Sequence, residues 1–595
     1  PTNGLNADGY FNYFDVTLSQ AGTTTVDMDV VIDSLTLANT DAGLYIPEEY
    51  LLLSLIEAQI IGGTVQADGI LASRDVLNFG GMLTGGGTIL ADTVWNAGLL
   101  APTEGMTMLS DLVLTSQSIF GYSGASLLVD GDVSLNGGVM FGTPYAWGDQ
   151  GLLIEYTGEA TGELAETDLA GVLYASFASG AGLVYYEIEA ADFSTELPDT
   201  ADSNVLAIAD HLDDARGSLA LSSIYSQIDY MSGEPLADSL YSLLPDTSFS
   251  VRNVAVASAE QVSTHLARRF SSIKAGKADG QAVNQMGGSP IQTVSLDGMS
   301  AFAMSAAAAA DGEPAAAKEG WGTFVELAYM TGDETNSLTG NDSDLDGYSI
   351  TAGGDAQIDD GLRLGAFFNY SDAENSGSAT LGSVESSGFF VGAYGLYDFD
   401  NGVNLSGYYG IGETDYDITR VQMLTGGMTL GETNATQAIG GVALSSLYGV
   451  SSSVFFEPSV SVEYFNADLD AYTESGTAGG LIIDSRSITS TQAKIGTLVH
   501  FFDPAGDAGF RPTLGLRYVQ DLSADDEAVV SRFAGTNFGS FTTVSGDLDD
   551  NWFEAEARAQ FVKSDRYEVS GFLTQTLDRD DLDYTSFGLN IRMKF

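Results

Sequence analysis

The 595-residue sequence has no cysteine, which excludes disulfide scaffolding and thiolate chemistry. Its three histidines, His211, His265 and His500, are too few and too scattered for a histidine-rich metal centre. Bases are scarce: 21 Lys and Arg stand against 82 Asp and Glu, a formal net charge of -61. Nucleic acid is disfavoured as a partner, because phosphate binding needs Lys and Arg. An acidic surface instead keeps an exposed protein soluble. No run of about 18 or more apolar residues occurs, so no transmembrane helix is expected. Charged residues make up only 17%, while Gly (71), Phe (30) and Tyr (27) are plentiful. That balance suits strands and turns rather than helical bundles. The first residue is Pro1, without Met or an apolar leader, which reads as a processed protein or a fragment.

Residues 1–195 read as short strands. TTTVDMDVVIDSLTLAN and SLLVDGDVSLNGGVMFG alternate apolar and polar residues, and between them GGMLTGGGTILADTVWNAGLLAPTEG has strand-length apolar runs separated by Gly and Asn. The spacing suits stacked turns of a β-solenoid, each unit burying its face on the next, with a plain β-sandwich as the alternative. Residues 196–275 change character. VLAIADHLDDARG and SLALSSIYSQIDYM have helical spacing, and residues 250–274 predict a longer helix capped by Asp246, Thr247 and Ser248 after Pro245. About 25 residues at 1.5 Å each are enough to cross a bilayer-thick pore. Residues 276–320, rich in Gly, Ala and Pro, read as a linker.

From Trp321 the pattern is strands to the end. About twelve are expected, near 321–332, 345–357, 361–371, 386–399, 402–414, 433–449, 453–465, 485–502, 510–520, 550–562, 567–578 and 584–595. Each is long enough to cross a membrane at a tilt. One face is apolar and the other carries Gly or isolated charges. Phe553, Ala555, Ala557, Ala559 and Phe561 oppose Trp552, Glu554, Glu556, Arg558 and Gln560, while Leu362, Leu364, Ala366, Phe368 and Tyr370 oppose Arg363, Gly365 and Asn369, with Phe367 the exception. Connections after even strands are short (IDDG, DFDNG, GVSSS, DPAGDAG, SDR). Those after odd strands are mostly long, notably DETNSLTGNDSD, 415–432, 466–484 and 521–549. Sorted loops of this kind are the mark of an outer-membrane β-barrel. Aromatic residues at strand ends, among them Tyr329, Phe389, Phe390, Tyr397, Phe399 and Tyr464, are expected to supply interfacial girdles.

Three stretches resemble the C-terminal part of a type V secretion autotransporter of Gram-negative bacteria. Gly81, Leu83, Gly85, Gly87 and Thr88, followed by Asn96, Gly98, Leu100 and Pro102, resemble the last rungs of a passenger β-helix. MSGEPLADSLYSLL from Met231 resembles the L-S-G-E segment that precedes the translocator, with Met in place of Leu. The final strand resembles the signal read by the barrel-assembly machinery, here Phe587, Leu589, Ile591, Met593 and Phe595. The resemblance implies an all-β fold: a right-handed parallel β-helix stem (1–195, its segment 125–195 a folding-nucleation region), a helical linker with a pore helix (196–275), a flexible linker (276–320) and a 12-stranded antiparallel transmembrane barrel (321–595). It implies a monomeric barrel in outer-membrane lipid, assembled with periplasmic chaperones, whose passenger is displayed at the cell surface or secreted. Relatives that cleave themselves often do so at paired Asn; here only Asn253 stands in the helix, followed by Val254.

Charge placement bears on the pore independently. Arg252, Arg268, Arg269, Lys274 and Lys277 crowd one short stretch of an acidic chain, and Glu326, Glu554, Glu556 and Arg558 fall on expected lumen faces. A basic helix that also carries His265, threaded through such a lumen, would be held by charge pairs. A solvated helix face is the alternative reading. No G-x-S-x-G elbow accompanies the histidines, and no G-x-G-x-x-G follows a strand, so no catalysis and no cofactor are expected in these residues. Asp342, Asp344, Asp346 and Gly347 begin like a calcium loop, but Gly353 stands at the twelfth position, so an acidic turn with at most weak calcium binding is expected. The function expected is an outer-membrane translocator exporting its own passenger. The alternatives are an adhesin or structural stalk, an enzyme passenger (a protease or esterase) encoded upstream, and an unrelated porin-like channel.

Overall fold

The computed structural model describes residues 13–274 and 321–593, apart from short breaks at 336–337, 339–341, 378–381, 400–401, 452, 502–508, 525–526, 547, 565–566 and 580. The expected linker 276–320 lies outside the described residues, as do Lys277 and Phe595. The chain forms two compact units. One comprises Pro1–Pro198 with Tyr225–Leu236, the other Asp199–Ile224 with Ala237–Phe595. Four α-helices are described: α1 (Ser203–Asp214), α2 (Ser222–Ile228), α3 (Glu234–Tyr241) and α4 (Asp246–Lys274).

In the first unit, strands alternate between two parallel sheets, and the second of these has seven strands, one for each turn of the solenoid. Ile70 pairs with Thr88 and Val30 with Leu52, offsets of 18 and 22 residues. Leu37, Ile60, Leu83, Val94, Leu114 and Phe120 line the interior with no exposed surface. A parallel stack has no hairpin turns, so each corner must bond its own backbone. Asn78 and Asn96 do this while fully buried. The Asn78 amide donates to Asn96 Oδ1 (2.6 Å) and to the Gly81 carbonyl (3.0 Å), and its oxygen accepts from Gly81 N–H (2.9 Å). A Cβ on Gly98 would meet that amide at 2.8 Å, which accounts for the Asn-x-Gly spacing. Asn78→Ala leaves two buried groups, Asn96 Oδ1 and the Gly81 N–H, without partners, each costing about 1–3 kcal/mol, while the Gly81 carbonyl keeps the Leu99 N–H (3.0 Å). We expect a clear fall in the urea midpoint for protease resistance of the solenoid, and no change in the barrel's heat-modifiable gel migration.

Parallel stacking ends where 150–156 pairs antiparallel with 183–190, which pairs antiparallel with 173–180. Tyr186 of this cap packs edge-on against Phe141 (4.9 Å) and Tyr122 (5.2 Å) of the last rungs. Burial and the neighbouring Tyr122 hydroxyl push the Tyr186 phenol up to about 12. The Met231-Ser232-Gly233-Glu234 motif belongs to this unit. Gly233 has φ 63 and donates its N–H to the Glu196 carbonyl (2.8 Å), and nothing lies within 4 Å of a Cβ there. It is the left-handed backbone, rather than crowding, that asks for glycine.

The second unit is a barrel of twelve antiparallel strands: β1 (Trp321–Thr335), β2 (Asp342–Gln357), β3 (Leu362–Gly377), β4 (Gly382–Asp398), β5 (Val403–Gln422), β6 (Gly427–Ser446), β7 (Val454–Leu469), β8 (Arg486–His500), β9 (Gly509–Asp521), β10 (Asn551–Ser564), β11 (Tyr567–Leu577) and β12 (Leu582–Met593). Each pairs with the next, and β12 closes on β1, with Leu589 opposite Leu327 and Leu582 opposite Glu334. Closure leaves no sheet edge in lipid. Leu327, Leu364, Val391, Ile411, Val442 and Leu516 stand exposed on the outer face. Among the described residues no helix is long and apolar enough to cross a membrane, which says nothing of strands.

Two expectations about loops and girdles are corrected. Residues 415–432 are not a loop: β5 and β6, 20 residues each, run through them to a four-residue turn. Hairpin pairing satisfies the backbone well beyond the roughly 9–11 residues that a bilayer needs, so polar sequence there does not end the strands. Phe390 does not belong to an outer girdle. It is buried on the lumen face, whereas its neighbour Phe389 is exposed. The two longest connections hold a separate four-stranded sheet, in the order 472–473, 481–483, 528–533 and 541–544.

Candidate functional site: the occupied barrel lumen

Strand alternation builds the site. In β10, Trp552, Glu554 and Glu556 are buried on the inner face, while Phe553 and Phe561 are exposed. In β3, Arg363, Phe367 and Asn369 are buried and Leu364 is exposed. Phe367, out of pattern in the sequence, points inward: a Cβ on Gly392 would lie 2.6 Å from its ring, so a glycine on the neighbouring strand makes the room for it.

α4 occupies this interior. Its 29 residues span about 43 Å at 1.5 Å per residue. Twenty are buried, including Ser250, Asn253, Glu260, Gln261, Ser263 and His265. A helix buried on every side while this polar requires a polar surround that bonds to it. Near its start, the Ser248 hydroxyl meets Tyr472 Oη (2.7 Å), and Ser250 Oγ donates to Glu334 Oε1 (2.9 Å). Midway, Gln492 donates to Glu260 (2.7 Å), the Tyr584 hydroxyl donates to the same carboxylate, and Ser586 donates to Gln261 (2.9 Å). His265 Nδ1 bonds Thr351 Oγ1.

The last turns carry the ion pairs. Arg268 is paired with Glu326, and its guanidinium lies 3.3 Å from the Phe572 ring centroid. Arg269 grips Asp355 through Nε (2.8 Å) and Nη2 (2.6 Å). Asp355 also accepts from Arg363 (2.5 Å) and Tyr394 (2.5 Å). Lys274 is paired with Glu457 and donates to Ser445 Oγ (2.8 Å).

Arg252, in the second turn, donates to the Thr489 carbonyl (3.3 Å) and lies 4.0 Å from Asp521. Glu554, Glu556 and Arg558 join a network in the wall: Lys494 meets Glu554 (3.0 Å), Arg517 meets Glu556 (2.7 Å), and Arg558 pairs with Glu556. The sequence reading missed Asp355, Glu334, Glu457, Lys494 and Arg517. Strand parity carries the signal for the first of these, because Asp355 lies two and four residues from Gly353 and Thr351 on the same face of β2. Asp342, Asp344 and Asp346 do not form an acidic loop. They stand at alternate positions of β2, Asp346 accepting from the Tyr329 hydroxyl (2.7 Å) and Asp342 from Thr335 Oγ1 (3.0 Å). An extended strand spreads such carboxylates apart rather than wrapping them around a calcium ion.

In β12, Phe587 and Leu589 are exposed on the lipid face. The side chains of Ile591, Met593 and Phe595 lie outside the described residues.

Residues 323–573 match the family model of the autotransporter beta-domain. No curated protein matches the chain. Among solved structures, the translocator domain of autotransporter NalP from Neisseria meningitidis is similar at 14% identity and TM-score 0.38, over 50% of this chain and 95% of that one. The beta domain of the Bordetella autotransporter BrkA gives 16% and 0.35, over 47% and 100%. The transport unit of AIDA-I from Escherichia coli gives 13% and 0.34, over 48% and 93%.

Proposed function

We propose that this chain, whose residues 323–573 are an autotransporter beta-domain set in the outer membrane, carries its own N-terminal solenoid through the barrel to the cell surface. The observation that supports the reading most is α4, buried in the lumen and continuous in sequence with the solenoid. A chain segment that fills the pore between a stem and a barrel is what remains after the stem has passed outward. The beta-domain is not catalytic, and its lumen carboxylates Glu326, Asp355, Glu554 and Glu556 are each paired with a base. Insertion would draw on the barrel-assembly machinery and periplasmic chaperones, a role supported by the two-faced closing strand β12. We read 1–195 as passenger stem, 196–275 as connecting helices, 276–320 as linker and 321–595 as translocator.

The absence of native cysteine makes the test direct. Glu104→Cys, in the solenoid, should react with a membrane-impermeant maleimide on intact cells. Asp360→Cys, in the short turn after β2, should react only after the outer membrane is opened. If both react only after opening, the reading fails.

A further inference from the structure

The sheet at 472–473, 481–483, 528–533 and 541–544 is a binding site for another part of this chain. α1 packs on it within the same unit. Asn204 makes two hydrogen bonds to one backbone position of the sheet: its amide donates to the Val544 carbonyl (2.9 Å) and its oxygen accepts from Val544 N–H (2.8 Å). His211 packs against the rings of both Phe533 (5.6 Å) and Phe541 (5.2 Å), which also touch each other (5.7 Å). Val205, Ile208, Leu212, Leu221, Ile224 and Leu243 are fully buried. Glu474 and Arg420 form a buried ion pair beneath, and Arg420 also reaches the Gly479 carbonyl (2.9 Å).

Position gives this packing its meaning. α4 begins beside Tyr472 and ends beside Ser445 and Glu457, close to the short turn after β6. Residues 203–224, in the same unit, therefore lie at the long-loop end. Any route that brings them there through the lumen delivers them before the solenoid, which precedes them in sequence and must follow them out. An isolated amphipathic helix of 12 residues is marginal in water. The loop sheet offers it an apolar seat and, at Asn204, a register mark that only a side-chain amide fits.

We propose that the sheet-bearing parts of the two long connections, 470–485 and 527–545, form an outer latch that captures 203–224 as the first emerging segment, with Asn204 and His211 as the positioning residues that stop it sliding back. This rests on the secretion reading. The latch adds free energy on the outer side before any solenoid rung has formed, and so biases the chain outward.

The test uses the full chain in the outer membrane. Ser203→Cys, at the exposed position beside Asn204, with Val544→Cys should cross-link with a short bismaleimide on intact cells, and in a pulse-chase the product should appear before the solenoid becomes protease resistant. Ser203→Cys with Asp360→Cys should not cross-link. Asn204→Asp keeps the volume but replaces the donor, so surface appearance of the solenoid should slow about fivefold, the worth of one net hydrogen bond. Heat-modifiable migration of the barrel should stay unchanged. A wild-type solenoid that never surfaces would defeat the secretion reading itself. A solenoid that surfaces without the cross-link, or with the cross-link arriving last, or at an unchanged rate in Asn204→Asp, would overturn the latch alone.

Discussion

Reversing Arg268 and Arg269 together to Glu should open the pore. In planar bilayers the variant chain is expected to show sustained conductance where the native chain shows little, while its barrel still migrates as a heat-modifiable species. The reasoning begins with burial. Both guanidiniums and their partners, Glu326 and Asp355, are almost wholly shielded from solvent. Such pairs add little net stability over an apolar filling, but breaking one leaves a buried charge unpaired at a cost of about 3–5 kcal/mol. Reversal puts carboxylate against carboxylate at two adjacent positions and also forfeits the Phe572 contact. The wall does not depend on the helix to the same degree: Lys494, Arg517, Glu554 and Glu556 pair among themselves, and twelve closed ladders hold the strands. The helix should therefore lose its seat before the barrel loses its form. Unchanged conductance would mean that these pairs do not hold the plug.

Gly588→Val should have the larger effect on assembly. Gly588 lies on the closing strand, between exposed Phe587 and Leu589. A Cβ there would stand 2.2 Å from the Leu327 carbonyl of β1 and 2.4 Å from the Phe572 ring of β11. One of these is backbone, and it belongs to the strand that β12 must pair with to close the barrel. Overpacking costs about 1–3 kcal/mol where neighbours can yield; backbone in a closed ring yields least. We expect at least about a tenfold drop in the heat-modifiable, membrane-inserted species, tenfold corresponding to about 1.4 kcal/mol. Gly539→Ala, with nothing within 4 Å of its Cβ, is the control and should insert normally.

The barrel was legible in the sequence because lipid and lumen impose opposite demands on neighbouring residues. Phe553 and Glu554 cannot exchange faces, so parity alone separated wall from interior and placed Glu326, Glu554 and Glu556 on the inside. The ends of β5 and β6 were not legible. Above the bilayer the polarity of the two faces reverses: Asp415, Asp417 and Glu432 face outward while Tyr416 and Ile418 are buried, and a strand whose outer face is acidic looks like loop. Phe390 and Phe367 show the other limit. An aromatic ring can face the lumen when a glycine stands beside it on the next strand, as Gly392 stands beside Phe367, and that is a relation between strands. The latch was hidden for a similar reason, since Asn204 and Val544 are 340 positions apart. The helix pattern of α1 showed an apolar face without showing what covers it.

The central claim is that residues ahead of α4 have crossed the outer membrane through this barrel. A site-specific protease sequence placed at the exposed stretch 199–202 tests it most directly. Adding the protease to intact cells should cut the chain into a solenoid fragment and a heat-modifiable barrel fragment, read on a denaturing gel. A chain that stays whole until the outer membrane is broken would contradict the account.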